Sequence, residues 1–217
     1  MSIWTNSRIA SAPVWPMVRR VAVLMTVGSA LAVNAQPGPD APRRIAVSER
    51  GVIIAGPQGY CVDLPAARDT PLSAFVLLGS CAAIALSTGA DQPTAPAVLT
   101  ASVAWGGETP VADQHAALAG FFRSNAGRAA LSRSGKPESV RVIEAWASDG
   151  VFYLHAQDSS PAGTPAVQPE FWRAVFDVQG RIVTLNVIGL QLRPLGPAAG
   201  RATLEAFVRQ VLGENRR

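Results

Sequence analysis

Two pairs of strand-length segments, each joined by a turn that ends in glycine, constrain this chain most. VRVIEAWA at 140–147 and VFYLHAQD at 151–158 flank Ser148-Asp149-Gly150, while EFWRAVFDV at 170–178 and RIVTLNVIG at 181–189 flank Gln179-Gly180. β-Branched and aromatic residues suit strands, and an Asp-Gly pair tolerates the positive φ angles of a tight hairpin turn. Both segments therefore read as antiparallel hairpins. The 19 glycines and 17 prolines punctuating the chain point to many turns and weigh against long helices and an all-helical bundle.

The segments before the hairpins extend the pattern. Apolar stretches at 45–48, 51–56 and 58–65, separated by Gly and Pro, read as strands or strand fragments. Residues 73–86 are almost continuously apolar; Val76, Gly79 and Cys81 favour a strand over 74–84 rather than a helix. A loop at 87–96 precedes AVLTASVAW at 97–105, whose Leu99, Ala101, Val103 and Trp105 alternate onto one face. Thr109-Pro110 predicts a helix start, with the Thr hydroxyl as cap and Pro at the first helical position. That helix is expected to reach Asn125 and stop at Gly127, with Val111, Leu118, Phe121, Phe122 and His115 sharing a face. A closing helix at 198–212 carries Leu204, Phe207, Val208, Val211 and Leu212 at helical spacing and ends at Gly213. The expectation is a single α+β domain over 45–213, an antiparallel sheet of about six strands with helices packed on it, and a disordered tail at 214–217.

The first 35 residues hold no acid and three arginines, Arg8, Arg19 and Arg20, the last two directly before the apolar run Val21–Val33. This is a signal-peptide layout, and Val33-Asn34-Ala35 places cleavage between Ala35 and Gln36. The run is shorter than the ~20 residues that span a bilayer, so an inner-membrane anchor through an uncleaved segment is the weaker reading, and membrane contact follows only from it. The residues around Arg19-Arg20 match a twin-arginine signal poorly, which leaves the general secretion route to the periplasm. Residues 36–44, QPGPDAPRR, read as a flexible tether. Cleavage lowers the net charge from +4 to +1, since the leader carries three of the 19 basic residues and none of the 15 acids. With its remaining arginines scattered, the mature chain has no electrostatic footprint for nucleic acid. Cys61 and Cys81, an even pair in an exported chain, read as a disulfide. Two reduced cysteines or a redox pair are the alternatives, the latter disfavoured by a spacing unlike C-x-x-C.

The order of elements, with an early GYCVDLP strand, a mid-chain amphipathic helix, the hairpin WRAVFDVQGRIVTLNVIG and a closing helix, resembles the PsbP-like α-β-α sandwich over about residues 51–212. That fold is shared with a eukaryotic Ran-binding import factor and many exported bacterial proteins. The stretch GYCVDLPAARDTPLSAFVLLGSC is similar to uncharacterised exported proteins of alphaproteobacteria, which supports export and cysteine pairing and implies no activity. The cysteine pair departs from the wider PsbP-like group, and no metal-binding or Ran-binding residue of that group aligns here.

Sequence patterns for chemistry are mostly absent. There is no G-x-S-x-G, H-E-x-x-H or G-x-G-x-x-G, and Gly135-Lys136 is followed by Pro137, which breaks a Walker A pattern. No cofactor is implied. His115 and His155 suit proton transfer and, with a carboxylate such as Asp113, Glu144 or Asp158, would make a general base or metal site; each reads first as a structural histidine. Glu144 interrupts the apolar set Val140, Val142, Trp146. Pairing 147 with 151 puts Glu144 opposite Leu154, and a shift of one residue puts it opposite His155. Trp105, Trp146, Phe152, Tyr153, Phe171, Trp172 and Phe176 read as core, or as a binding patch if several share an uncovered sheet face. The leading expectation is a non-enzymatic exported binding or accessory protein whose partner is another envelope protein. A small periplasmic hydrolase or metal-binding protein using His155 or His115 is the alternative. Intact mass of the protein from its native envelope is expected to correspond to a chain starting at Gln36 that takes up two alkyl groups only after reduction; a full-length mass with two free thiols would overturn both assignments.

Overall fold

Alternating side chains turn the strands into a sheet with two unlike faces. The computed structural model describes residues 41–49, 51–161 and 167–216. The expected signal segment 1–35, the Ala35–Gln36 cleavage point and residues 36–40 of the tether lie outside the described residues. The strands are β1 (Arg44–Val47), β2 (Val52–Ala55), β3 (Tyr60–Val62), β4 (Arg68–Asp69), β5 (Ser73–Ser80), β6 (Ala97–Trp105), β7 (Val140–Ser148), β8 (Val151–Asp158), β9 (Val167–Val178) and β10 (Arg181–Leu190). The helices are α1 (Cys81–Ile84), α2 (His115–Arg123), α3 (Asn125–Leu131) and α4 (Pro197–Glu214).

The fold is α+β with an antiparallel sheet of eight strands rather than about six. The spatial order is β3-β5-β6-β10-β9-β8-β7, with β4 also pairing to β5, and β1 and β2 form a separate two-stranded hairpin. Both anticipated hairpins are present. Asp149 and Gly150, like Gln179 and Gly180, have positive φ, as a two-residue turn between twisted strands requires.

One face of the sheet is covered along its width. Ala74, Val76, Leu78, Leu99, Ala101, Val103, Trp172 and Leu185 lie there beneath α4 and the β1–β2 hairpin, which contribute Leu204, Phe207, Val208 and Val211, and Val47, Val52 and Ile54. The other face is covered over β7, β8 and β9 and toward the two ends of β10, where Ile182 and Ile188 pack against the same cluster. There α2 and α3 bring Phe122 and Leu131 onto Phe152, Leu154, Phe171 and Val175. Strand β8, layered on both sides, is buried at seven of its eight positions, whereas β6 alternates buried with half-buried residues.

Several expected boundaries move. The helix predicted from Pro110 to Asn125 begins as a 3-10 turn at Val111–Gln114, becomes α2, and breaks at Ser124, whose hydroxyl accepts from Gly127 N–H and starts α3. Gly127 is therefore inside a helix rather than a stop, and a Cβ there would lie 2.0 Å from the Phe121 carbonyl oxygen. The strand expected over 74–84 ends at Ser80, and α1 follows. The tether's last residue, Arg44, already pairs with Ala55. At the far end α4 passes Gly213 to Glu214, and Asn215 is bonded into the domain, accepting from Ile53 N–H at 2.9 Å and donating to the Ile53 carbonyl at 2.7 Å. Residues 214 and 215 of the anticipated tail thus belong to the fold.

Cys61 on β3 and Cys81 at the start of α1 form a disulfide. It ties the sheet edge to α1, and closing a loop of this length stabilises by about 3 kcal/mol in the chain-entropy picture. Packing of α4 depends on Gly200: a Cβ there would fall 2.4 Å from the Trp172 indole. Gly200→Ala is expected to lower stability by about 1–3 kcal/mol in urea denaturation, through overpacking against a core that cannot yield; an unchanged midpoint would mean that α4 has room to lift.

Candidate functional site

The residues singled out in sequence separate onto two faces. A β-bulge between Val142 and Glu144 inserts Ile143, so Val140 and Val142 join the α2 side while Glu144 and Trp146 turn toward α4. Ser148 pairs with Val151, which sets Glu144 opposite His155, the shifted register of the two considered. Being opposite does not make them a pair. Glu144, half exposed, lies 3.6 Å from the Arg201 guanidinium, which itself stacks over Trp146 at 4.2 Å. His155 is 6% exposed, stacks on Trp172 with ring centroids 4.6 Å apart, and donates from Nε2 to Glu170 at 3.2 Å.

Glu170 was not among the sequence candidates. It stands opposite Gln157, two positions along from the His155–Trp172 pair and on the same face, so its signal lay in the β8–β9 register and not in local spacing. Glu170 also lines a cavity of ≈ 290 Å³ with Gln157, Gln168, Pro169, Pro194 and Leu195. His115 sits beyond the sheet at the start of α2, its ring 6.4 Å from Phe152 and its Nε2 buried without a hydrogen-bond partner. Asp113 is exposed beside it. Among the described residues, no three His, Cys, Asp or Glu side chains gather as a metal-ligand set.

Asp158, the third candidate carboxylate, has a structural surrounding. It is 1% exposed, accepts from Arg133 N–H at 2.8 Å and from Ser160 N–H at 2.9 Å, and lies 3.4 Å from the Arg133 guanidinium. The hydroxyls of Ser132, Ser134, Ser139 and Ser160 interlink beside it. Burial by itself would raise the Asp158 pKa, but the backbone donors of Arg133 and Ser160 and the hydroxyls of Ser160 and Ser139 outweigh it and hold the carboxyl below its ordinary range. This cluster locks the turn after α3 to the end of β8.

The aromatic residues are mostly core. Trp146, Tyr153, Trp172 and Phe176 pack on the α4 side, Phe152 and Phe171 on the α2 side, and Trp105 is exposed at a strand end under Arg181. The uncovered surface is instead the α2-side face of β5, β6 and β10. Cross-strand register builds it in rows, Phe75–Ser102–Thr184 and Leu77–Thr100–Asn186–Arg173. Phe75 is 38% exposed and the other residues of both rows are half-buried, while their strand neighbours on the opposite face are buried. In sequence, the mark of this surface was Thr100, Ser102, Thr184 and Asn186 alternating with apolar residues; what could not be read was that no helix covers them.

Arg173 ends the longer row where the helical cover begins. Its Nε donates to Asn186 Oδ1 at 2.7 Å, and Asn186 Nδ2 donates to Thr100 Oγ1 at 2.9 Å. Burial lowers the Arg173 pKa to about 10, so the guanidinium remains charged at neutral pH. Chemically, the surface offers a cation and hydroxyls set among apolar side chains, with no acid–base pair within it.

Because the Asp158 pKa is depressed by folding, its contribution to stability is present above the unfolded value of about 3.9 and is lost as pH falls through the lower folded value. Urea denaturation from pH 6 down to pH 2 is expected to find Asp158→Asn less stable by about 1–3 kcal/mol at pH 6 and the gap to wild type narrowing toward pH 2; a constant gap would exclude the carboxylate as its source. No protein-family model and no curated protein matches this chain.

Proposed function

We propose that this chain is an exported, non-enzymatic binding or accessory protein of the PsbP-like kind, which docks another envelope protein on the uncovered face of its sheet. The observation that carries this reading is the half-bare surface of β5, β6 and β10, a sheet face with mixed polar and apolar side chains and no covering layer among the described residues. The eight-stranded antiparallel sheet with helices on it agrees with the resemblance to the PsbP-like sandwich. The Cys61–Cys81 disulfide supports an oxidising compartment, for which the periplasm is the reading here. Among the described residues, no helix is long and apolar enough to cross a membrane, and an anchor would have to come from the N-terminal segment.

A second reading has one observation in its favour. His155 and Glu170 are hydrogen-bonded, and Glu170 borders the ≈ 290 Å³ cavity, an arrangement that a small hydrolase or metal-binding protein would use. Replacing His155 by Gln separates the two readings. A photo-crosslinking residue at Thr184 in the native envelope is expected to yield one discrete adduct, with the same residue at Arg209 on α4 as the silent control. That adduct is expected to survive His155→Gln and to disappear in Ser102→Glu. No adduct from Thr184, or one lost with His155, would sink the docking reading.

A further inference from the structure

The feature of the open face that its docking role does not by itself explain is a cation held without an anion. Among the described residues, Arg173 makes no ion pair, and its one hydrogen bond leaves from Nε to the neutral amide of Asn186. Its terminal nitrogens have no acceptor there. A half-buried guanidinium normally meets a carboxylate, because desolvating the charge is costly and two parallel N–H···O bonds recover the most. Here the cost is visible in the lowered pKa, which has burial as its cause. Asn186, anchored by Thr100, instead fixes the direction of the side chain while leaving its charge uncompensated. On the other flank the ring of Phe171 lies 5.8 Å from the Arg173 guanidinium carbon. This is an oriented donor, positioned rather than neutralised.

No acidic residue occupies the open-face positions of β5, β6 or β10; the acid on this side of β9, Asp177, stands opposite Ile182 and accepts from Val111 N–H. An unpaired guanidinium on a face of hydroxyl and amide side chains, with Phe75 and Leu77 beside them, is complementary to a partner segment that presents a carboxylate. Resting on the docking reading above, we infer that Arg173 is the specificity residue of the open face: it receives the side-chain carboxylate of an Asp or Glu that the partner protein presents there. An arginine suits this task better than a lysine, because its planar fork matches both carboxylate oxygens.

The neutral partner at 186 supplies the sharpest test. Asn186→Asp is nearly isosteric and places a carboxylate on the guanidinium from within, so it should block recognition while retaining Arg173. The probes are the blocked peptides acetyl-Val-Glu-Val-amide and acetyl-Val-Gln-Val-amide, titrated into ¹⁵N-labelled mature protein. The Glu peptide is expected to shift the Arg173 Nε–H resonance and the amides of Ser102 and Thr184, and to bind roughly tenfold more tightly than the Gln peptide. In Arg173→Gln and in Asn186→Asp that preference is expected to vanish, with the remaining spectrum intact as the check on folding. Equal affinity for the two peptides, with shifts on the face, would overturn the role of Arg173 while leaving the face as a docking surface. A preference that survives both substitutions would move carboxylate recognition elsewhere and overturn the inference. Absence of any shift on the face would also overturn it, and the docking reading would then be decided by the Thr184 crosslinks alone.

Discussion

The contact between Gly200 and the Trp172 indole organises much of this domain. Trp172 is 1% exposed in the middle of β9, with the His155 ring stacked on it and the backbone of α4 pressed close enough that no side chain fits between. Helix α4 is thereby held close to the sheet, and its remaining turns carry Leu204, Phe207, Val208 and Val211 into the core. Next to Gly200, Arg201 settles over Trp146, and beyond the last turn Asn215 reaches β2. A large aromatic opposite a glycine is thus a way of setting a helix close to a sheet, and its cost in chain entropy is offset by the apolar area it buries.

That close cover makes the two sides of the sheet unequal. On the α4 side, the helix and the β1–β2 hairpin together reach from one edge nearly to the other. On the opposite side, α2 and α3 are short because the chain breaks at Ser124, and their cluster takes in β7, β8 and β9 and, on β10, Ile182 and Ile188. The surface left bare is therefore a consequence of how much helix the segment from 111 to 131 supplies. Its polar rows accord with that exposure, since Thr and Ser satisfy a pleated, half-wet surface without inviting collapse onto it.

Legibility in the sequence followed the range of the interaction. The two hairpins, the strand at 97–105 and the closing helix were readable because their signals, turn dipeptides and side-chain periodicity, are local. Strand β3 falls within the stretch 58–65 read as a strand, whereas β4, with two residues, is too short to carry a period, and the sheet is wider than anticipated. The helix break at Ser124 was concealed because Gly127 looked like a terminus, whereas it is a point of close backbone approach. The bulge at Ile143 reassigned the face of Glu144, which no alternation rule foresees. Glu170, the true partner of His155, and Arg173, the unpaired cation, became visible only through registers that join segments distant in the chain.

The bonds between Asn215 and Ile53, together with the ion pair of Arg44 and Glu214 at 2.9 Å, bring the two ends of the domain side by side. Topologically, the described chain is close to a ring. A short peptide joining these ends would close it with little loss of entropy, and the exposed turn at Asp149-Gly150 offers a place to open it again. The domain is therefore suited to circular permutation, in which the order of elements along the chain changes while the sheet and its bare face keep their arrangement.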